Sequence, residues 1–421
     1  MKFISTIALY FIAVCCFAQD KGVNFQNNLT WAQVKEKAKK ENKFIFVDCY
    51  TTWCVPCKVM AKEILPQPEL SSYLNDKFIS IALQFDKTKQ DDGTTKRWHK
   101  EVKRIEAEAK VDAYPTYLIY SPDGQLVHTI VGGSPDAKTF LTKLQEGIDP
   151  KTQLVNMRKQ YADGDRTPGF LHTFANALMQ SWDPQTKEVI NQYLATQTDL
   201  LTKENARFVM IATGKSTDPG FKALLNNEAG FDKMTSPGLG SMIAEGIMFD
   251  EIVLHLVRTD GKKEVRGGMY FYTGEINKNV NWDEVHAKLK AVYPDYADEV
   301  LVKSKIRYYR DLSDWPKFAE QAAAYTKQYG KNHYQVMTYA NDIMLFAEDK
   351  VSLTEAATLA KPYATTADAG NEWYVDVYAQ LLYKLGQKEQ AITLVNNSVA
   401  KFGDKAYRLK ETQEKMQKGK L

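Results

Sequence analysis

Cys54 and Cys57 stand three positions apart in the stretch "VDCYTTWCVPCK", Val47–Lys58, in a chain with only five cysteines. Thiols at that spacing suit redox chemistry. One attacks a disulfide as its thiolate, and the other resolves the mixed disulfide that results. The same spacing also suits half of a zinc site or a structural disulfide, and coincidence is the fourth reading. Zinc fails on ligands, because a structural site wants four and no second Cys-x-x-Cys or paired histidine follows. The histidines His99, His128, His172, His255, His286 and His333 are scattered, with no i, i+4 pair, so no metal is expected. Neither a Gly-rich phosphate loop nor a nucleophile-elbow serine is present.

The first residues narrow the choice. "MKFISTIALYFIAVCCFAQD" has a positive start at Lys2, and its apolar run Phe3–Phe17 is too short for a comfortable membrane span. Ala18 supplies the small residue that cleavage needs, so residues 1–18 are expected to be a signal peptide and the protein to be exported, to a periplasm. A retained membrane anchor is the alternative. A lipoprotein at Cys15 or Cys16 ranks below both, because Val14 is larger than the residue such a site wants. The mature chain then keeps Cys49, Cys54 and Cys57. That is too few for a disulfide scaffold, which leaves Cys54 and Cys57 as a working pair.

A pair of this kind must be positioned. "FIFVDCY", Phe44–Tyr50, reads as a buried strand leading to the motif, and "CVPCKVMAKEIL" reads as a helix that tolerates Pro56 in its first turn. Cys54 is thereby delivered to a helix N-terminus, where unpaired N–H groups and the helix dipole favour a thiolate. Cys54 is the expected nucleophile. Cys57, one turn further in and shielded, is the expected resolving thiol. Val55 and Pro56 tune the loop between them. Cys49 points to the opposite strand face from Asp48 and reads as an inert buried thiol. Around this unit the pattern predicts helices over Leu29–Lys43, Pro68–Lys77 and the later part of Asp91–Val111. A second strand is expected at Phe78–Asp86, and a hairpin turning at Pro122-Asp123-Gly124 precedes a closing helix over "DAKTFLTKLQEGI". Strands separated by helices predict parallel pairing, with an antiparallel edge added by the hairpin.

Residues from about Leu29 to Ile148 resemble a thioredoxin-fold domain, on two motifs: "VDCYTTWCVPCK" and "VDAYPT", Val111–Thr116. The resemblance implies an α/β fold with a central mixed sheet flanked by helices. The helix after the motif is similar to the periplasmic domain of the membrane thiol-disulfide interchange protein. The long insert Lys87–Lys110 departs from the pattern. The resemblance also implies site roles. Asp48 exchanges a proton with the inner cysteine, since a charge buried in a strand needs a use. Pro115 is a cis-proline that turns the backbone of Tyr114 toward an incoming peptide. Trp53 joins an aromatic shelf beside Cys54. Tyr50 reads equally as shelf or core. Gly132 and Gly133 give substrate backbone room, or merely end a strand.

After Asp149-Pro150 the texture becomes helical. The expected domains are 19–149, thioredoxin fold, and 150–421, an all-α, irregular helical repeat. The clearest unit there, Trp373–Gly403, resembles a tetratricopeptide-type helix pair through Ala379, Leu382, Gly386 and Ala391. "MYFYTG" at Met269 is a candidate short strand. No catalytic constellation is visible in this half.

At 421 residues two or three domains are expected, and 44% apolar with 25% charged residues is ordinary for a globular protein. A net charge of +3 and no basic run interleaved with aromatics argue against nucleic acid as a partner. The expected function is an exported thiol-disulfide oxidoreductase that reduces or exchanges disulfides of other exported proteins. It needs no cofactor beyond the redox-active Cys54–Cys57 disulfide, and the expected electron donor is a membrane thiol-disulfide interchange protein. The alternatives are a partner-binding scaffold, or a disulfide isomerase or chaperone whose helical domain holds the client. Oligomeric state is not legible.

Overall fold

Alternation along "FIFVDCY" decides how the sheet is covered. Successive side chains leave a strand on opposite faces. Ile45, Val47 and Cys49 therefore enter one apolar layer, and Phe46 enters the other together with Asp48. The computed structural model describes residues 22–266, 269–330, 332–365 and 371–421. The expected signal peptide at 1–18, with Cys15 and Cys16, lies outside these residues.

Contacts divide the chain into two compact units, Met1–Thr196 and Gln197–Leu421. In the first, α1 (Trp31–Glu41) starts at a capping box made by Thr30 and Gln33. Strand β1 (Phe44–Tyr50) follows. Next come α2 (Val55–Val59), which continues as a π-helical turn Met60–Ile64, and α3 (Pro68–Lys77). Then come β2 (Phe78–Gln84), α4 (Gly93–Ala109), β3 (Thr116–Tyr120), β4 (Leu126–Val131) and α5 (Ala137–Ile148). The sheet order is β2-β1-β3-β4. Each predicted element forms.

One pairing differs from the sequence expectation. Strands β1 and β2 are parallel, but β3 runs antiparallel to β1, as β4 does to β3. Helix α4 lies between β2 and β3, yet the loop Val111–Pro115 brings the chain back into the sheet in the reverse direction. A helix between two strands permits parallel pairing without enforcing it.

Two apolar layers hold the sheet. Trp31, Val34 and Ala38 of α1 and Trp98, Val102 and Ile105 of α4 pack on Ile45, Val47, Cys49, Ile79, Ile81 and Leu83. On the other face Met60, Ile64, Leu70, Leu74, Phe140 and Leu144 cover Phe46, Tyr117, Ile119 and Ile130. Phe46 stacks on Tyr117 at 5.5 Å between ring centroids and meets Phe140 edge-on. Each such fully buried large side chain contributes roughly 1.5–3 kcal/mol.

Three further helices, α6 (Leu154–Ala162), α7 (Pro168–Gln180) and α8 (Thr186–Leu194), belong to the first unit. The texture change at 150 therefore precedes the compact boundary. The attachment is physical: the Leu154 N–H donates to Nδ1 of buried His128 on β4 at 3.3 Å.

The second unit contains three helix pairs: Ala297–Asp311 with Trp315–Tyr329, His333–Phe346 with Lys350–Ala364, and Glu372–Lys384 with Lys388–Phe402. Buried Ala319, Ala322, Ala340, Ala356, Ala360, Ala379 and Ala391 let these helices approach closely. Gly386 takes φ +82° at the last turn, where a Cβ would be strained. Met269–Tyr272 is a strand, paired with Lys263–Arg266. A cavity of about 840 Å³ in this unit is lined in part by Glu228, Glu245, Glu299, Lys303 and Arg307. Lys303 Nζ lies 2.5 Å from Glu245 Oε2 and 2.9 Å from Glu299 Oε1. Burial nonetheless holds Glu245 above the ordinary carboxylate range.

Candidate functional site

The dithiol sits where β1 hands the chain to α2. Cys54 is the N-cap of α2, with extended backbone, and the Cys57 N–H donates to Cys54 Sγ at 3.1 Å. Val55 and Pro56 occupy the first turn, where proline's missing N–H costs no helical bond. Cys54 and Cys57 form a disulfide with Cα atoms 5.3 Å apart. A backbone N–H directed at the Cys54 sulfur is the kind of contact that stabilises a thiolate once a disulfide is opened.

Exposure does not separate the two thiols as the sequence reading expected. Cys54 is 2% exposed and Cys57 6% exposed, while flanking Trp53 and Val55 are each 67% exposed. The distinction between them therefore rests on the capping position. Among the described residues no group of three or more His, Cys, Asp or Glu could hold a metal.

Asp48 lies on β1 opposite Tyr117 of β3 and Ala82 of β2. It shares the face of Phe46 and Met60, which is the face covered by the helix that begins at the dithiol. Asp48 is buried, and its Oδ1 makes no hydrogen bond within the protein. Burial pushes its carboxyl up to about 7, because nothing offsets desolvation of the charged form. Cys49, on the other face, is free and buried, and burial with the neighbouring Asp48 charge pushes its thiol well up. A thiol held protonated in this way is a poor nucleophile.

The second motif closes against the first. The Tyr114–Pro115 bond is cis. Thr116 Oγ1 donates to the Ala113 carbonyl at 2.8 Å, and the Gly132 N–H donates to the Pro115 carbonyl at 2.8 Å. Trp53 meets the Tyr114 ring edge-on at 6.0 Å, with Phe85 on Tyr114 at 5.7 Å. Trp53, Tyr114, Pro115 and Gly132 thus form one connected rim. Tyr50 is half-buried at the end of β1 and Gly133 is exposed.

Sequence reasoning missed three contributors. Phe85 closes the second strand's exit onto Tyr114. Met60 Sδ lies 3.2 Å from the Ser134 N–H, bracing the turn after Gly132. Trp182, beyond α7, brings its Cζ2 within 4.0 Å of where a Gly132 Cβ would stand. Phe85 could have been suspected from its place at a strand end. The other two contacts are long-range and leave no local pattern.

Residues 31–148 match the model of a thioredoxin-like domain. Thioredoxin-2 of Pyricularia oryzae is 34% identical over 109 residues, 26% of this chain, which spans about half (53%) of that protein's length. A thioredoxin H-type of Fagopyrum esculentum is 33% identical, with 25% of this chain covering 75% of it. The solution structure of a putative disulphide-isomerase from Bacteroides thetaiotaomicron shares 30% identity, covering 31% of this chain and 98% of that one, at a TM-score of 0.26.

Proposed function

The chain belongs to the thioredoxin-like family, with a thiol-disulfide oxidoreductase domain over residues 31–148, and from that premise we propose that the whole protein reduces or exchanges disulfides of other exported proteins. The observation that carries the reading is the disulfide at the helix cap, with the Cys57 N–H on Cys54 Sγ.

The reaction balances as a two-electron exchange. The Cys54 thiolate attacks one sulfur of the client disulfide. A Cys54–client disulfide forms and the other client sulfur leaves as a thiolate. Cys57 then attacks Cys54 Sγ, which closes the Cys54–Cys57 bond and releases the second client thiolate. Asp48, raised toward neutrality by burial, takes the Cys57 proton for that step. Tyr114 offers its backbone to the client, and Trp53 the apolar face beside it. A second dithiol must restore the reduced pair, and a membrane thiol-disulfide interchange protein is the proposed donor.

Export is supported by Lys2 followed by the apolar run Phe3–Phe17 and small Ala18. No helix among the described residues is long and apolar enough to cross a membrane. The helical unit is proposed to recruit clients.

Direction is tested by equilibrating the full chain in glutathione redox buffers. A Cys54–Cys57 potential near the thioredoxin value of about −270 mV is expected, as for a reductase. A value near about −120 mV would reverse the assignment to an oxidant.

A further inference from the structure

We propose that Trp182 is a second aromatic anchor for the client polypeptide, extending the docking surface of the dithiol beyond residues 31–148 to the loop after α7. The proposal rests on the exchange reading above and adds the kind of client: a disulfide whose half-cystine is flanked by a bulky apolar residue.

Trp182 stands where the backbone asks for glycine. The Asp183 N–H donates to the Leu178 carbonyl and the Trp182 N–H to the Met179 carbonyl, at 3.0 and 3.2 Å. That is the double bond pattern that ends a helix through one left-handed residue. Trp182 is that residue, at φ +51°. A bulky side chain is disfavoured in this region, so its presence points to a use outside the turn itself. The indole is not consumed by a core, since Trp182 is 65% exposed. Asp183, paired with Arg158 and accepting the Gln185 N–H at 2.8 Å, fixes the turn and so aims the ring.

The aim is toward the dithiol's own rim. Trp182 approaches Gly132, whose N–H is bonded to the carbonyl of cis Pro115, and Trp53 approaches Tyr114, the preceding residue. Two exposed indoles thus border one client-binding loop. Rigid aromatic faces contribute much contact area for little ordering entropy. Gly132, at φ +90°, puts no side chain in the space beside Trp182.

The test uses full-length Trp182→Gly with two oxidants: a disulfide-bonded peptide carrying phenylalanine beside a half-cystine, and oxidised glutathione. Glycine suits the left-handed position, so the melting temperature should hold or rise. KM for the peptide is expected to rise about tenfold, and the ratio of peptide to glutathione rates to fall by the same factor. Trp182→Phe should recover most of that ratio. An unchanged peptide KM, or equal losses on both oxidants, would overturn the anchor while leaving the exchange reading standing. Wild-type protein inert toward both oxidants would remove the exchange reading and the anchor with it.

Discussion

Cys54→Ser should lower the rate of exchange with any disulfide by on the order of a thousandfold or more, because the attacking sulfur is gone. The fold should survive. Serine is a strong N-cap residue, and its hydroxyl can accept the Cys57 N–H that Cys54 Sγ now accepts. Loss of the disulfide closes off the oxidised state, so the comparison belongs between reduced proteins. Cys49 should not substitute. It is buried on the far face of β1, and burial with the Asp48 charge keeps its thiol protonated. Stopped-flow mixing with a chromogenic disulfide measures the rate. Residual exchange within tenfold of wild type would place the nucleophile elsewhere.

Asp48→Asn should separate stability from activity. The carboxyl titrates near 7 in the folded chain against 3.8 as an ordinary side chain. Its folded value is raised, so its contribution is fully present below the unfolded value and is lost as pH rises through about 7. Wild-type stability should therefore decline between about pH 4 and pH 7 from this group alone, by about 4 kcal/mol, and then level. The amide has no such term, so at pH 8 the variant should be the more stable protein by that order. Activity should move the other way. Without the carboxylate, closure of the Cys54–Cys57 bond should slow by about a hundredfold at pH 7 and lose its rise through neutral pH. Urea titrations at pH 4 and pH 8, with resolution rates across that range, measure both. A variant with no stability gain at pH 8 would mean that burial does not raise the Asp48 carboxyl.

Much of the site was legible because it is local. A strand of seven apolar-rich residues, a Cys-x-x-Cys at a helix start and an X-Pro motif each carry their own pattern. Cys54, Cys57, Pro115 and Asp48 all fall where those patterns put them. Relations between distant segments were not legible. The reversed β3 depends on how the Val111–Pro115 loop re-enters the sheet, which composition does not encode. The near-equal covering of Cys54 and Cys57 depends on surrounding packing. Trp182 carries no local sequence signal, and only the left-handed turn and its approach to Gly132 mark it out. The helix pair within Trp373–Gly403 was plain from the sequence and forms as Glu372–Lys384 and Lys388–Phe402, whereas the short Pro219–Asn226 and Glu228–Met234 helices are too brief to show a periodicity.

The central claim is that Cys54 attacks and Cys57 resolves. Its most direct test is capture of the intermediate. Reduced full-length Cys57→Ser is mixed with a disulfide-bonded polypeptide, quenched with acid and examined by intact mass and peptide mapping without reductant. The account predicts a one-to-one covalent adduct through Cys54, released by added thiol and absent from the Cys54→Ser, Cys57→Ser double variant. No adduct, or an adduct that maps to Cys49, would contradict it.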